Sequence, residues 1–147
     1  MKNKSLRPYQ KQAIKDLSKG WLKHKRQILA LTTGSGKTHT FVTMAKMALD
    51  RGKTVLILTH RTELFKQTHE SFSLVGVVPK IINADSKEPN SMNGIFVVMV
   101  ETLMRREHLV QSLKPDLIII DEAHYGNFTK VIEAFPDAYI LGVTATP

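Results

Sequence analysis

Short aliphatic runs that alternate with helical segments predict an α/β fold, a mostly parallel sheet with helices on both faces. Three observations carry this. The runs are apolar at successive positions rather than at alternate ones, as strands buried on both faces require. Examples are "VLIL" (Val55–Leu58), "IFVVMV" (Ile95–Val100) and "LIII" (Leu117–Ile120). A Gly-rich turn, "TTGSGKT" (Thr32–Thr38), separates the first run from a helical segment. Finally, "LIII" runs directly into two adjacent acids, Asp121 and Glu122.

Taken in order, a first helix carries Lys11, Lys15, Lys19 and Lys23 at a spacing of four, which makes one basic stripe. Ile14, Leu17 and Trp21 fall on a different face and anchor it to the core. Gln27–Thr32 reads as a strand, and Lys37–Asp50 as a helix that stops near Gly52. Thr54–Thr59 is a strand and Thr62–Leu74 a helix. Val77–Asn83 and Ile95–Val100 read as strands, with a helix from Thr102 to Leu113 after the second. Leu117–Ile120 and Tyr139–Val143 complete the set. The polar stretch "DSKEPNSMN" (Asp85–Asn93) reads as a surface loop. No repeat or internal linker interrupts the 147 residues, so residues 1–147 read as one domain.

Composition narrows the class. The chain has no cysteine, which excludes disulfides and thiolate metal sites. No apolar run approaches the roughly 18 residues of a membrane span, and the first twenty residues lack the apolar core of a signal peptide. The expectation is a cytoplasmic protein with no membrane partner. The net charge of +8 is unevenly placed. Residues 1–26 hold nine Lys/Arg against Asp16 alone, and the remaining residues hold twelve basic and twelve acidic side chains. The whole excess therefore sits at the amino terminus, either as a phosphate-facing surface or as a solvated helix face.

The Gly-rich turn suits a polyphosphate. A helix starting at Lys37 points backbone N–H groups and its dipole at the loop, and Gly34 and Gly36 permit close approach. Lys37 would contact the β and γ phosphates, and the Thr38 hydroxyl would ligate Mg²⁺. The strict pattern begins with Gly where Leu31 stands, although "TGSGKT" is intact. An ordinary strand-to-helix turn is the alternative. The acid pair narrows the choice, because carboxylates at the end of a buried strand are costly without a partner. Asp121 is placed to hold Mg²⁺, and Glu122 to orient and deprotonate an attacking water. The alternative here is a helix cap for Ala123 onwards.

Together these motifs resemble the first RecA-like domain of superfamily 2 helicases and translocases, the DEAD/DEAH-box class. "LRPYQ" (Leu6–Gln10) resembles the adenine-reading motif, which implies that Gln10 bonds the adenine edge and Arg7 lies near the base. "TTGSGKT" resembles motif I, with Thr33, Gly34, Ser35, Gly36, Lys37 and Thr38 as nucleotide contacts. "LTHRTELFKQ" (Leu58–Gln67) is similar to motif Ia, and "VVMVETL" (Val97–Leu103) resembles the motif that carries a Thr toward nucleic acid. By resemblance His60, Arg61 and Thr102 face a sugar-phosphate backbone, with a solvated helix start as the alternative for the first two. "DEAH" (Asp121–His124) matches motif II and "TATP" (Thr144–Pro147) motif III. His124, Thr144 and Thr146 would couple the nucleotide site to the rest of the motor. The "LRPYQ" and "HRTEL" forms look more like the RadD, XPB and UvsW branches.

The resemblance implies ATP and Mg²⁺ as ligands, nucleic acid as partner with DNA favoured over RNA, and strand Tyr139–Val143 lying between Gln27–Thr32 and Leu117–Ile120. It also implies a second RecA-like domain, in cis or trans, which has no counterpart in these 147 residues. The isolated domain is expected to bind Mg-nucleotide and to hydrolyse it weakly. A helicase domain, a duplex translocase of a restriction or remodelling enzyme, and a non-catalytic nucleotide-binding fragment are the open readings.

Overall fold

The computed structural model describes residues 8–21, 23–30, 37–59, 62–82, 94–105, 112–121 and 125–144. The elements are α1 (Pro8–Gly20), β1 (Arg26–Ala30), α2 (Lys37–Asp50), β2 (Val55–Thr59), α3 (Thr62–Leu74), β3 (Lys80–Ile82), β4 (Ile95–Met99), α4 (Val100–Arg105), β5 (Leu117–Asp121), α5 (Tyr125–Ala134) and β6 (Tyr139–Thr144). The six strands form one sheet in the order β1-β6-β5-β2-β4-β3, with every pair parallel. As expected, β6 lies between β1 and β5.

The side-chain period of two splits each strand between two cores. Val55, Ile57, Ile119 and Leu141 face one side, where they meet Ile14 and Leu17 of α1, Phe41 and Val42 of α2, and Phe72 of α3. Leu56, Leu58, Ile118 and Ile120 face the other, with Leu103 of α4 and Val131 of α5. Burial on both faces explains why these strands carry no polar alternation. The Thr54 N–H donates to the Asp116 carboxylate at 2.9 Å, and the Asp116 N–H donates to the Thr54 carbonyl at 2.9 Å. That reciprocal pair locks the starts of β2 and β5 in register.

Glycines in the left-handed region close α2 and α3, Gly52 (φ 78°) and Gly76 (φ 77°). At each, the glycine N–H and the next N–H bond back to the last turn, Gly76 to Ser73 at 3.1 Å and Val77 to Phe72 at 3.0 Å. These are paired caps that satisfy otherwise orphaned carbonyls. They also correct one expectation. The strand expected over Val77–Asn83 is only Lys80–Ile82 among the described residues, because Val77 is spent on the helix cap and Pro79 has no N–H for a ladder.

Other boundaries shift. The strand expected to reach Val100 stops at Met99, and α4 starts directly at Val100 rather than at Thr102. Leu113 is not helical, and residues 106–111 of the expected helix lie outside the described residues. The expected loop Asp85–Asn93 also lies outside them. The sequence raises a helix here only as the alternative for the acid pair to cap, because Gly126, Asn127, Thr129 and Val131 are poor helix formers, yet α5 forms over Tyr125–Ala134. Its burial against the sheet through Val131 overrides propensity. Among the described residues no helix is long and apolar enough to cross a membrane.

Candidate functional site

In a parallel sheet all strands end on one edge, and here three of those ends are flush. Ala30, the last residue of β1, pairs with Thr144 of β6, and Val143 pairs with Asp121, the last residue of β5. Two strand spacings separate β1 from β5, a lateral distance of about 10 Å. The loop 31–36 lies outside the described residues, but both its anchors are placed. It leaves the sheet at Ala30 and enters α2 at Lys37. Phe41, Val42 and Ala45 are fully buried against the sheet, which fixes α2 and so fixes where its N-terminal amides are presented. Thr38 is half-buried in that first turn.

Asp121 is 1% exposed. A carboxylate this deep is tolerated only with hydrogen-bond donors or a cation. The donor set on this edge fits Mg²⁺, a hard cation that takes one or two carboxylates and completes its shell with phosphate and water oxygens. Asp121 would supply the carboxylate and Thr38 a hydroxyl. Among the described residues no group of three or more His, Cys, Asp or Glu forms an all-protein metal cage. A magnesium bound mainly through nucleotide phosphates does not need one.

The other predicted residues divide by strand. Thr144 ends β6, half-buried between the ends of β1 and β5, where a coupling residue would stand. Thr102 lies half-buried in the first turn of α4, directly after β4. β4 pairs with β2, and Thr59 at the end of β2 is opposite Met99. β2 therefore ends beside the start of α4. Thr59 is fully buried, a position the sequence reading passed over, and it fixes that exit point. The carboxyl edge thus has two zones, the ends of β1, β6 and β5, where the predicted phosphate loop begins, and the ends of β2 and β4, which precede the predicted backbone contacts. Gln10 is in the first turn of α1, with its side chain outside the description. Arg7, Thr33, Gly34, Ser35, Gly36, His60, Arg61, Glu122, His124 and Thr146 lie outside the described residues, as does the side chain of Lys37. A cavity of about 420 Å³ lined by Ile14, Trp21, Met44, Met47, Leu117 and Tyr139 opens at the amino ends of β5 and β6. It is on the opposite edge and is not part of this site.

An all-parallel sheet of this order, with a strand-to-helix connection after β1 and a buried carboxylate closing β5, fits the RecA-like class of P-loop domains. Residues 3–147 match the family described as type III restriction enzyme, res subunit, and the chain belongs to that family. It is 32% identical over 149 residues to the DNA 3'-5' translocase XPB2 of Sulfurisphaera tokodaii, covering 97% of this chain and 31% of that protein. The fold is similar to the SWI2/SNF2 ATPase core of Sulfolobus solfataricus, solved with double-stranded DNA, at a TM-score of 0.77 and 22% identity over 99% of this chain and 33% of that one. It is similar also to the UvsW helicase of bacteriophage T4, at a TM-score of 0.76 and 19% identity over 99% and 55% of the two chains. The chain spans less than a third of the length of the curated relatives it matches. Family and fold together mark it as the first RecA-like domain of the superfamily 2 type.

Proposed function

We propose that this chain is the ATP-binding motor domain of a nucleic-acid-dependent ATPase, with DNA as its track. One observation carries the reading. The β1-β6-β5 order brings the start of the phosphate loop, the first turn of α2 and the buried Asp121 to one edge. The backbone amides of residues 33–38 cradle the phosphates, and Lys37 bonds the β and γ phosphates. Thr38 and Asp121 would hold Mg²⁺, which when bound would supply neutralisation of phosphate charge. Glu122 accepts a proton as water attacks the γ-phosphorus, and ADP departs with the electron pair of the broken P–O bond. Gln10 and Arg7 address the adenine. His60, Arg61 and Thr102 contact the strand backbone, which suits a motor indifferent to sequence. His124, Thr144 and Thr146 relay the state of the nucleotide.

A second RecA-like domain, in cis or trans, supplies the arginine fingers, an effect worth about 10³–10⁵ in rate in other nucleotide hydrolases. The chain's relatives include a DNA translocase and helicases, and both translocation and strand separation are consistent with the family. The test is nucleotide binding and ATP turnover by this chain, with and without single- and double-stranded DNA and RNA, beside Lys37→Ala. Lys37-dependent Mg-nucleotide binding with weak turnover is expected. Binding unaffected by Lys37→Ala would overturn the site, and robust unwinding by this chain would overturn the need for a second domain.

A further inference from the structure

The positive excess of the sequence becomes a single surface in the fold. Lys11, Lys15 and Lys19 are exposed along α1, and Lys23, Lys25 and Arg26 are exposed in the turn that follows and at the start of β1. The opposite side of α1 is spent on the core, with Ile14 8% and Leu17 6% exposed. Among the described residues none of the six cations has an ion-pair partner. Asp16, the lone acid of the segment, accepts a hydrogen bond from Gln12 at 2.8 Å. The turn is held firmly. The N–H groups of Lys23 and His24 donate to the Gly20 carbonyl at 2.9 and 2.8 Å, Gln27 Nε2 donates to the Leu17 carbonyl at 2.9 Å, and Trp21 packs edge-on against Tyr139 at 5.4 Å. Helix and turn therefore present their cations as one body.

Apart from Lys11, which adjoins the Gln10 assigned to the adenine, this surface is separate from both zones of the carboxyl edge. Arg26 begins β1 and the phosphate loop follows Ala30, four strand residues or about 13 Å away. β2, which leads to His60 and Arg61, is three strands across the sheet. We propose that the lysine face of α1 and the 23–26 turn form a second nucleic-acid surface that binds the phosphate backbone of duplex DNA. The inference rests on the motor reading above. Lysines four apart on a helix are spaced about 6 Å along its axis, near the axial separation of every second phosphate on one strand. The apolar side of the helix is already buried, so nothing remains to enter a bilayer. Among the described residues the exposed neighbours of the stripe are Pro8, Gln12, Asp16 and Ser18, with Met47 of α2 at its edge 37% exposed, and one proline and one methionine are too little apolar surface for the centre of a protein interface. A motor gripping DNA at a site outside its stepping track would stay on the duplex between nucleotide cycles.

The experiment is anisotropy of a labelled 20-base-pair DNA duplex with nucleotide-free protein, titrated across 50–200 mM salt. K11Q/K15Q/K19Q removes the stripe while keeping good helix formers. K80Q/K114Q/K130Q removes equal charge from lysines elsewhere. The first variant is expected to weaken binding tenfold or more at 50 mM salt and to lower the slope of log K against log salt by about 2–3, at about 0.9 per phosphate. The second is expected to stay near wild type. Should the triple variant fail to fold, K15Q alone is expected to lower the slope by about one. Wild-type behaviour of the stripe variant, equal losses in both variants, or no duplex binding by the wild type would each overturn the proposal. So would a stripe variant that loses polyglutamate binding while keeping DNA, since the partner would then be an acidic protein. The motor reading is judged separately, by Lys37-dependent nucleotide binding.

Discussion

Asp121→Asn isolates the metal role of the buried acid. The substitution keeps the side-chain shape and removes one charge from a position only 1% exposed, where solvent screens little. A unit negative charge about 5 Å from a divalent cation, with water between, is attracted by about 7 kcal/mol at an effective dielectric of about 20. The asparagine carbonyl dipole and the avoided desolvation offset more than half of this. A loss of about 2.7 kcal/mol remains, or roughly 100-fold in Mg-nucleotide affinity. Thermal unfolding reads this directly. Nucleotide at 100 times its dissociation constant stabilises the wild type by about 2.7 kcal/mol, but a variant binding 100-fold more weakly by only about 0.4 kcal/mol. At about 2–4 °C per kcal/mol for a domain of this size, the shift falls from about 5–11 °C to about 1–2 °C. Each protein is compared with its own unliganded midpoint. In EDTA the two proteins should give matching shifts. An undiminished Mg-dependent shift in Asp121→Asn would refute the assignment of Asp121 to the metal.

Two further substitutions test the scaffold that aligns the site. Gly76→Ala meets no atom within 4 Å but must adopt φ of +77°, so urea unfolding should show a loss of about 1–2 kcal/mol from backbone strain alone. An unchanged midpoint would mean that the cap of α3 is not left-handed. Asp116→Ala removes the acceptor for the Thr54 N–H and should cost about 1 kcal/mol, whereas Asp116→Asn retains an accepting oxygen and should cost less. Equal losses in the two would show that the bond does not stabilise the register of β2 and β5.

Much of the architecture was legible because local rules decide it. Helix α2 runs over Lys37–Asp50 and α3 over Thr62–Leu74, as the sequence predicts, since Gly52 and Gly76 mark their ends. Uniformly apolar runs announced strands buried on both faces. The alternation of lysines with Ile14 and Leu17 announced which side of α1 would be buried. Short-range patterns misled where two local uses competed for one residue. Val77 could extend a strand or close a helix, and the backbone bond to Phe72 settled it. In α5, tertiary burial outweighed weak propensity.

The sequence by itself determined the class of fold, the phosphate loop and the acid at the end of a buried strand, because each is written in adjacent residues. It also determined the uneven charge. The family resemblance implied that β6 lies between β1 and β5, but only the tertiary structure decided that Ala30, Thr144 and Asp121 end flush on that edge and that Asp121 is sealed from water. The physical reason is that a period of two assigns a side chain to a face of the sheet but says nothing of which strand lies alongside. Strand order and register come from contacts between residues far apart in the chain.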